Sequence, residues 1–296
     1  MTRTFVLHLT LVTLATIALA TVAAAQDKVT VPLSSPGQPA TVKAHLVSGS
    51  ITVTAGSGSQ VVIESQEPKD GDRGRGPLGA VIRSQIQSAM GGGDRDRDNS
   101  IPPGMHRIDT GARGFNVEED HNVVTVVPEF GGWGMNLVIQ VPVNTSVELK
   151  TVNGGHIDVT GVNGDLDIEN VNGAVTLKNV SGSVSAHTVN GSLTVGLDKV
   201  TPDKPMSFSS LNGRVDVTLP ADTKARLRLK TTNGAVYSDF DVKTEPDNSK
   251  PVIEDARGQG GRYRIRTDRG VYGSINGGGP EYSFQTMNGT ILIHKK

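Results

Sequence analysis

Cysteine is absent from this 296-residue chain. No disulfide, thiolate nucleophile, Cys-ligated metal or lipid-bearing N-terminal cysteine is therefore available to it. Aromatic residues make up 4 % of the chain, with a single Trp, against 36 Gly. That composition is poor for a wide globular core and suits a thin, repetitive β structure. Charge of one sign is also missing. The formal net charge is −1, which gives no global pull toward nucleic acid or a membrane surface. Catalytic signatures are missing as well: no Gly-x-Ser-x-Gly elbow, Walker loop or His-Glu-x-x-His occurs. The seven His are scattered, with no pair at metal-ligand spacing. No catalytic residue, cofactor or metal site is assigned, and the expectation is a protein that is not an enzyme.

One long apolar run is present, at the start. Arg3 in "MTRTF" precedes "VLHLTLVTLATIALATV", and the run ends in "AAAQ". This is the layout of a secretory signal peptide over residues 1–25, cleaved after Ala25. No later run approaches the ~20 apolar residues that span a bilayer. The expected mature protein is exported (periplasmic, secreted or on the cell surface) and has no transmembrane segment.

Asn-Gly stands at 153, 163, 172, 190, 212, 233, 276 and 288, with Ser181-Gly182 in an intermediate slot. The intervals are near nine or ten residues, or multiples of that, which marks a repeat architecture. Between corners the chain alternates. Leu166 and Ile168, Val175 and Leu177, Val184 and Ala186, and Leu193 and Val195 are apolar, with polar residues between them. Period-2 alternation predicts half-buried strands of about five residues. In the layer after Asn153 the alternation starts one residue late, because Gly155 is extra. Val162, Val171, Val180 and Val189 each precede an Asn or Ser and break the parity. A bend that turns each of them inward at the corner is the expected repair. Asn and Gly then complete the turn, because both tolerate positive φ. Periodicity alone leaves an antiparallel meander open, since Asn-Gly is also the favoured hairpin turn.

"LVIQVPVNTSVELKTVNG" (137–154) and "VDVTLPADTKARLRLKTTNG" (215–234) share one plan: strand, Pro, polar turn, strand, Thr-x-Asn-Gly. "GPEYSFQTMNGTILIHKK" closes the chain on the same motif. Residues 26–66 read as N-terminal strands of the same type, with Ser48-Gly49 as a corner. Residues 67–114 are rich in Gly, Asp and Arg and read as a largely disordered insertion. Residues 115–296 read as the repeat domain.

These residues resemble the bacterial putative-adhesin family of β-strand-repeat domains, through the Val-Pro strand followed by Thr-Val-Asn-Gly units in series. The resemblance covers roughly 40–65 and 115–296. It implies an all-β, single-chain β-helix (β-solenoid) with about 20 residues per coil and Asn-Gly corners. It also implies an exported or surface protein of unknown function with no established enzymatic activity. Residues 137–296 would then give about eight coils, stacked into a rod of order 40 Å.

The Asn-Gly pairs Asn153-Gly154, Asn163-Gly164, Asn172-Gly173, Asn190-Gly191, Asn212-Gly213, Asn233-Gly234 and Asn288-Gly289 are expected to be structural corners, with stacked amides. Arg226, Arg228 and Lys230 alternate outward on one strand, and Arg262, Arg264 and Arg266 on another. If those strands stack closely, they form a basic stripe suited to an anionic polymer. Asp158, Asp165, Asp167 and Glu169 read as a solvated acidic face. Trp133 reads as a packing residue. The expected partners are a cell-envelope polysaccharide or another envelope protein, with no nucleic acid. The first functional reading is a non-enzymatic adhesin or cell-envelope structural protein. The alternatives are a polysaccharide-binding or polysaccharide-processing β-helix, or a periplasmic envelope-stress partner.

Overall fold

The computed structural model describes residues 28–66, 114–129, 134–245, 252–255, 263–266 and 270–296. The expected signal peptide, residues 67–113 of the expected insertion, Trp133 and Arg262 lie outside the described residues. No helix occurs among the described residues. The strands are β1 (Lys28–Pro32), β2 (Ala40–Ser48), β3 (Ile51–Gly56), β4 (Gln60–Gln66), β5 (Phe115–Asp120), β6 (Val123–Pro128), β7 (Asn136–Pro142), β8 (Thr145–Asn153), β9 (Ile157–Thr160), β10 (Asn163–Asn172), β11 (Val175–Asn190), β12 (Leu193–Val200), β13 (Met206–Asn212), β14 (Val215–Leu219), β15 (Ala225–Asn233), β16 (Val236–Ser238), β17 (Lys243–Glu245), β18 (Val252–Asp255), β19 (Tyr263–Arg266), β20 (Val271–Ile275), β21 (Glu281–Asn288) and β22 (Ile291–Lys295). Twenty of them share one sheet, and β18 and β19 form a separate hairpin.

The pairing is solenoid-like. In a first stack the parallel neighbours run β6, β2, β8, β10, the second part of β11, β13, β21, β15. A second parallel stack runs β7, β3, β9, the first part of β11, β12, β14, β22, β16. Both ends of the first stack and one end of the second finish in antiparallel strands. β5 lies on β6, β4 on β7 and β1 on β4; β20 lies on β15 and β17 on β20. These strands cover parallel edges that would otherwise template aggregation.

Stack order departs from chain order at both termini. The β2–β3 layer sits between β6–β7 and β8–β9. The β21–β22 layer sits between β13–β14 and β15–β16. Each of these two layers is tucked one place inward of its position in chain order. Residues 137–296 make six two-strand layers among the described residues: β8–β9, β10–β11, β11–β12, β13–β14, β15–β16 and β21–β22. The eight coils expected from spacing do not appear, because Lys243–Glu245 and Val271–Ile275 are antiparallel cap strands. Asn276-Gly277 accordingly is no repeat corner. It turns the chain from β20 into β21 with φ of 49° and 90°. The Asn276 amide donates to the carbonyls of Ala221 and Thr223.

One hydrophobic core runs through the stack, and Phe208 and Phe284 from adjacent layers pack in it with ring centroids 5.0 Å apart. Alternation is strict within the first stack, which corrects the expected inward turn of Val171 and Val189. Both stay on the outer face, and Asn170 and Thr188 are buried in their place. Only Val162 and Val180, on the opposite corner, point into the core. A polar residue is tolerated inside because it has a fixed partner. The Thr151 hydroxyl donates to the Gly49 carbonyl, the Asn170 amide to Gly155, Thr188 to Gly173, Ser210 to Gly191, Thr286 to Gly213 and Thr231 to Gly289, at 2.8–3.1 Å. The Thr of Thr-x-Asn-Gly thus ties each layer to the glycine of its neighbour.

Those glycines form a column with no room for a side chain. A Cβ on Gly155 would lie 1.6 Å from the Gly49 oxygen; on Gly173, 1.8 Å from Gly155; on Gly191, 2.0 Å from Gly173. In the layer with the extra residue, the column glycine is Gly155, and Gly154 bulges out at φ 71°.

Candidate functional site

The outer face of the first stack carries three rows of side chains, fixed by the parallel register. In the row nearest the Asn-Gly corner, the residues that precede each corner Asn follow one another: Val152, Val171, Val189, Leu211 and Met287, with Val47 of β2 beside Val152. Val47, Val152, Leu211 and Met287 are exposed at 43–65 %. The next row is polar and runs His45, Lys150, Glu169, His187, Ser209, Gln285, Lys230. The third runs Lys43, Glu148, Asp167, Ser185, Ser207, Ser283, Arg228. The first two rows bound an open groove of about 660 Å³, lined among others by Lys150, Glu169, His187, Leu211, Gln285 and Met287. An exposed apolar row rimmed by polar groups is the usual mark of an interaction surface.

The rows are charged at one end of the stack. Glu148 accepts from Lys43 at 3.2 Å and lies 3.4 Å from Lys150 and 3.3 Å from His45. The Lys43 hydrogen bond holds the Glu148 carboxyl below the usual carboxylate range. Glu169 lies 3.5 Å from Lys150 and is the main cause of that lysine's raised pKa. Midway, the rows become neutral, and His187 Nδ1 lies 2.6 Å from the Ser209 hydroxyl. At the other end β15 brings Arg226, Arg228 and Lys230 to this same face, beside Glu281, Ser283 and Gln285 of β21.

The two basic strands, expected to form a stripe if they stacked closely, do not pair with each other. β15 belongs to the large sheet, while Arg264 and Arg266 lie on β19, whose partner is β18. The acidic residues are also dispersed. Asp158 is on β9 in the second stack, 3.4 Å from His156. Asp165 accepts from Lys204 at 2.7 and 2.8 Å and from Ser183 at 2.6 Å, and the lysine holds its carboxyl below the usual range.

At the corner, five asparagines form a hydrogen-bonded series. The amide of Asn190 donates to Asn172, Asn212 to Asn190, Asn288 to Asn212 and Asn233 to Asn288, at 2.7–2.9 Å. Asn163 stands on the opposite corner and donates to Asn144 at 3.0 Å, and Gly164 stacks against the Thr145 carbonyl. Asn153 stands outside the series; Asn172 donates to the Val152 carbonyl instead.

Residues 139–271 match the family described as Toastrack DUF4097. The likeness drawn from the Val-Pro strand and the Thr-x-Asn-Gly units agrees with this match, and the family is one of unknown function. The Toastrack match begins inside β7 and ends at the first residue of β20. It therefore leaves out both tucked layers, β2–β3 and β21–β22. Two solved structures are similar to this chain. One is described as a putative cell adhesion protein from Clostridium sporogenes ATCC 15579, with TM-score 0.42 and 10% identity, covering 92% of this chain and 100% of that one. The other is described as a putative adhesin from Bacteroides fragilis NCTC 9343, with TM-score 0.40 and 10% identity, covering 93% of this chain and 98% of that one. Likeness at that level says nothing of what this chain binds. No curated protein matches it.

The grooved face was hidden from a sequence reading by the inward placement given to Val171 and Val189. Strict alternation carried on from Leu149 through Thr151 would have put every x of Thr-x-Asn-Gly outside.

Proposed function

We propose that this chain is an exported, non-enzymatic β-helix of about 20 residues per coil that binds an extended anionic polysaccharide of the cell envelope along the outer face of its first stack. The observation that carries the proposal is the unbroken apolar row from Val47 to Met287, flanked by polar rows that end at Arg228 and Lys230. Sugar rings present apolar faces and polar edges together, and this surface offers both along one direction. The basic strand β15 supplies the charge that an acidic polymer would meet. The asparagine corners and the glycine column would hold the face straight.

A processing enzyme would need paired carboxylates in one cleft. Asp158 lies in a different stack from Asp165, Asp165 is held by Lys204 and Ser183, and Glu148, the register neighbour of Asp167, is held by Lys43 and Lys150.

The test is co-sedimentation of the mature chain with purified envelope polysaccharide at low and high salt. Leu211→Asp combined with Met287→Asp should abolish binding, because charge enters the apolar row. Arg226→Ala, Arg228→Ala and Lys230→Ala together should weaken it and flatten its salt dependence. Undiminished binding by both variants, each with an unchanged folded spectrum, would reject the reading.

A further inference from the structure

All eight Asn-Gly dipeptides of the chain fall among the described residues. In such a pair the glycine nitrogen can attack the asparagine side-chain Cγ. The N–Cγ bond forms, the Cγ–Nδ2 bond breaks and ammonia leaves with the amide proton. Water then opens the cyclic imide to aspartate or isoaspartate. The reaction needs an amide that can rotate onto the following nitrogen, so a hydrogen-bonded amide in a fixed backbone is protected.

Seven of the eight are held. Asn172 donates to the Val152 carbonyl and accepts from Asn190, and Asn190, Asn212, Asn288 and Asn233 donate in sequence along the same corner. Asn163 donates to Asn144, and Asn276 to two carbonyls. Three of the attacking nitrogens are engaged too: Gly173 N–H donates to the Asn190 carbonyl, Gly213 to that of Asn288 and Gly289 to that of Asn233.

Asn153 is the exception, and the extra residue explains it. The next strand starts three positions after Asn172, at Val175, but four positions after Asn153, at Ile157. Gly155 fills the glycine column, so Gly154 loops outward at φ 71° with nothing within 4 Å of where a Cβ would stand. Asn153 and Gly154 are both exposed. Among the described residues, the Asn153 side chain makes no hydrogen bond, and the rung that would meet it bonds the Val152 carbonyl instead.

We propose that Asn153 is a site of spontaneous conversion to aspartate and isoaspartate in the folded protein, and that the fold protects the other seven. The new carboxylate would stand next to Val152, at the apolar row. Isoaspartate would also lengthen the backbone where the Asn153 carbonyl receives the Gly49 N–H at 3.3 Å. The site stands on corner geometry and does not depend on the binding reading.

The experiment is peptide mapping by mass spectrometry, over time in mildly alkaline buffer, of the native chain and of a sample unfolded in urea. The folded chain should convert Asn153 at close to its unfolded rate. The other seven should be slowed by roughly tenfold or more, what one or two hydrogen bonds are worth. Deletion of Gly154 keeps an Asn-Gly pair but restores the three-residue spacing, and should slow Asn153 to the rate of the others. Equal conversion at all eight sites in the folded chain, or an intact Asn153 while the unfolded chain converts, would overturn the proposal. The folded-to-unfolded comparison on the unaltered chain decides the matter even where the deletion variant does not fold.

Discussion

Two residue types carry the corner, and each has a separate physical duty. Glycine is there for proximity. Gly191 has an ordinary negative φ, yet an added Cβ would meet the Gly173 carbonyl oxygen at 2.0 Å. Backbone on both sides is fixed by the parallel ladder, so the contact cannot be relieved by a rotamer change. Gly191→Ala should therefore cost ~3 kcal/mol, the upper range for overpacking. Gly56→Ala meets nothing within 4 Å and should show no loss, with a gain of up to ~1 kcal/mol from the unfolded chain. Urea midpoints of the two variants make the comparison. Threonine is there for the neighbouring layer. Thr188→Val keeps the shape but leaves the Gly173 oxygen without its donor at 3.0 Å, and should lose about 1–2 kcal/mol in the same measurement. Asn170 does the same work less well, since its Oδ1 is buried without a partner. Of all this, sequence showed the Asn-Gly and the strand parity. It could not show the glycine column, because close approach involves residues 15 or more positions apart that only the register brings together.

At the scale of strands, alternation was legible wherever the chain simply alternates, and the unequal layer after Asn153 was visible as one extra Gly. The apolar row was not, because a Val before each Asn looks the same whether it turns in or out. What decides it is the inward Thr, which has somewhere to donate. The charge rows across β2, β8 and β10 were also out of sight, since Lys43 and Glu148 are far apart in the chain and adjacent only through the tucked layer. Their pairing makes a pH prediction. Glu148 is held below its ordinary value by Lys43, so its folded pKa is depressed relative to the unfolded chain. Such a group stabilises the fold above the unfolded value of about 4.3, and the effect is lost as pH falls through the folded value. Lys43 is 41% exposed, so solvent screening keeps the effect at or below ~1 kcal/mol. Lys43→Met should lower the urea midpoint at neutral pH, and the gap to the unaltered chain should close in acid. A gap that persists unchanged at low pH would mean that the loss is one of packing and not of charge.

For the molecule as a whole, the departure from chain order governs how the protein can fold. In a sequential solenoid each layer touches only its neighbours in the chain, and trimming the last one removes a single terminal interface. Here the last residues of the chain fill an interior layer. β21 lies between β13 and β15, and β22 between β14 and β16. Phe284, buried against Phe208, and Tyr282, whose hydroxyl pKa is raised by burial, belong to that layer. Deleting residues 281–296 would strip β15 and β16 of their parallel partners and expose the core of β13 and β14 at once. The truncated chain should therefore lose its cooperative unfolding transition and not merely fray at one end. Removal of β1, an edge strand that pairs only with β4, should leave that transition in place with a small shift. Circular dichroism during thermal unfolding distinguishes the two. The same arrangement delays completion of the fold until the C-terminal layer arrives, as does the high sequence separation of its contacts, so refolding should be slow for a chain of this length. An intact transition in the 281–296 deletion would mean that β15–β16 can close directly on β13–β14, and that the tucked layer is an addition to a stack already complete.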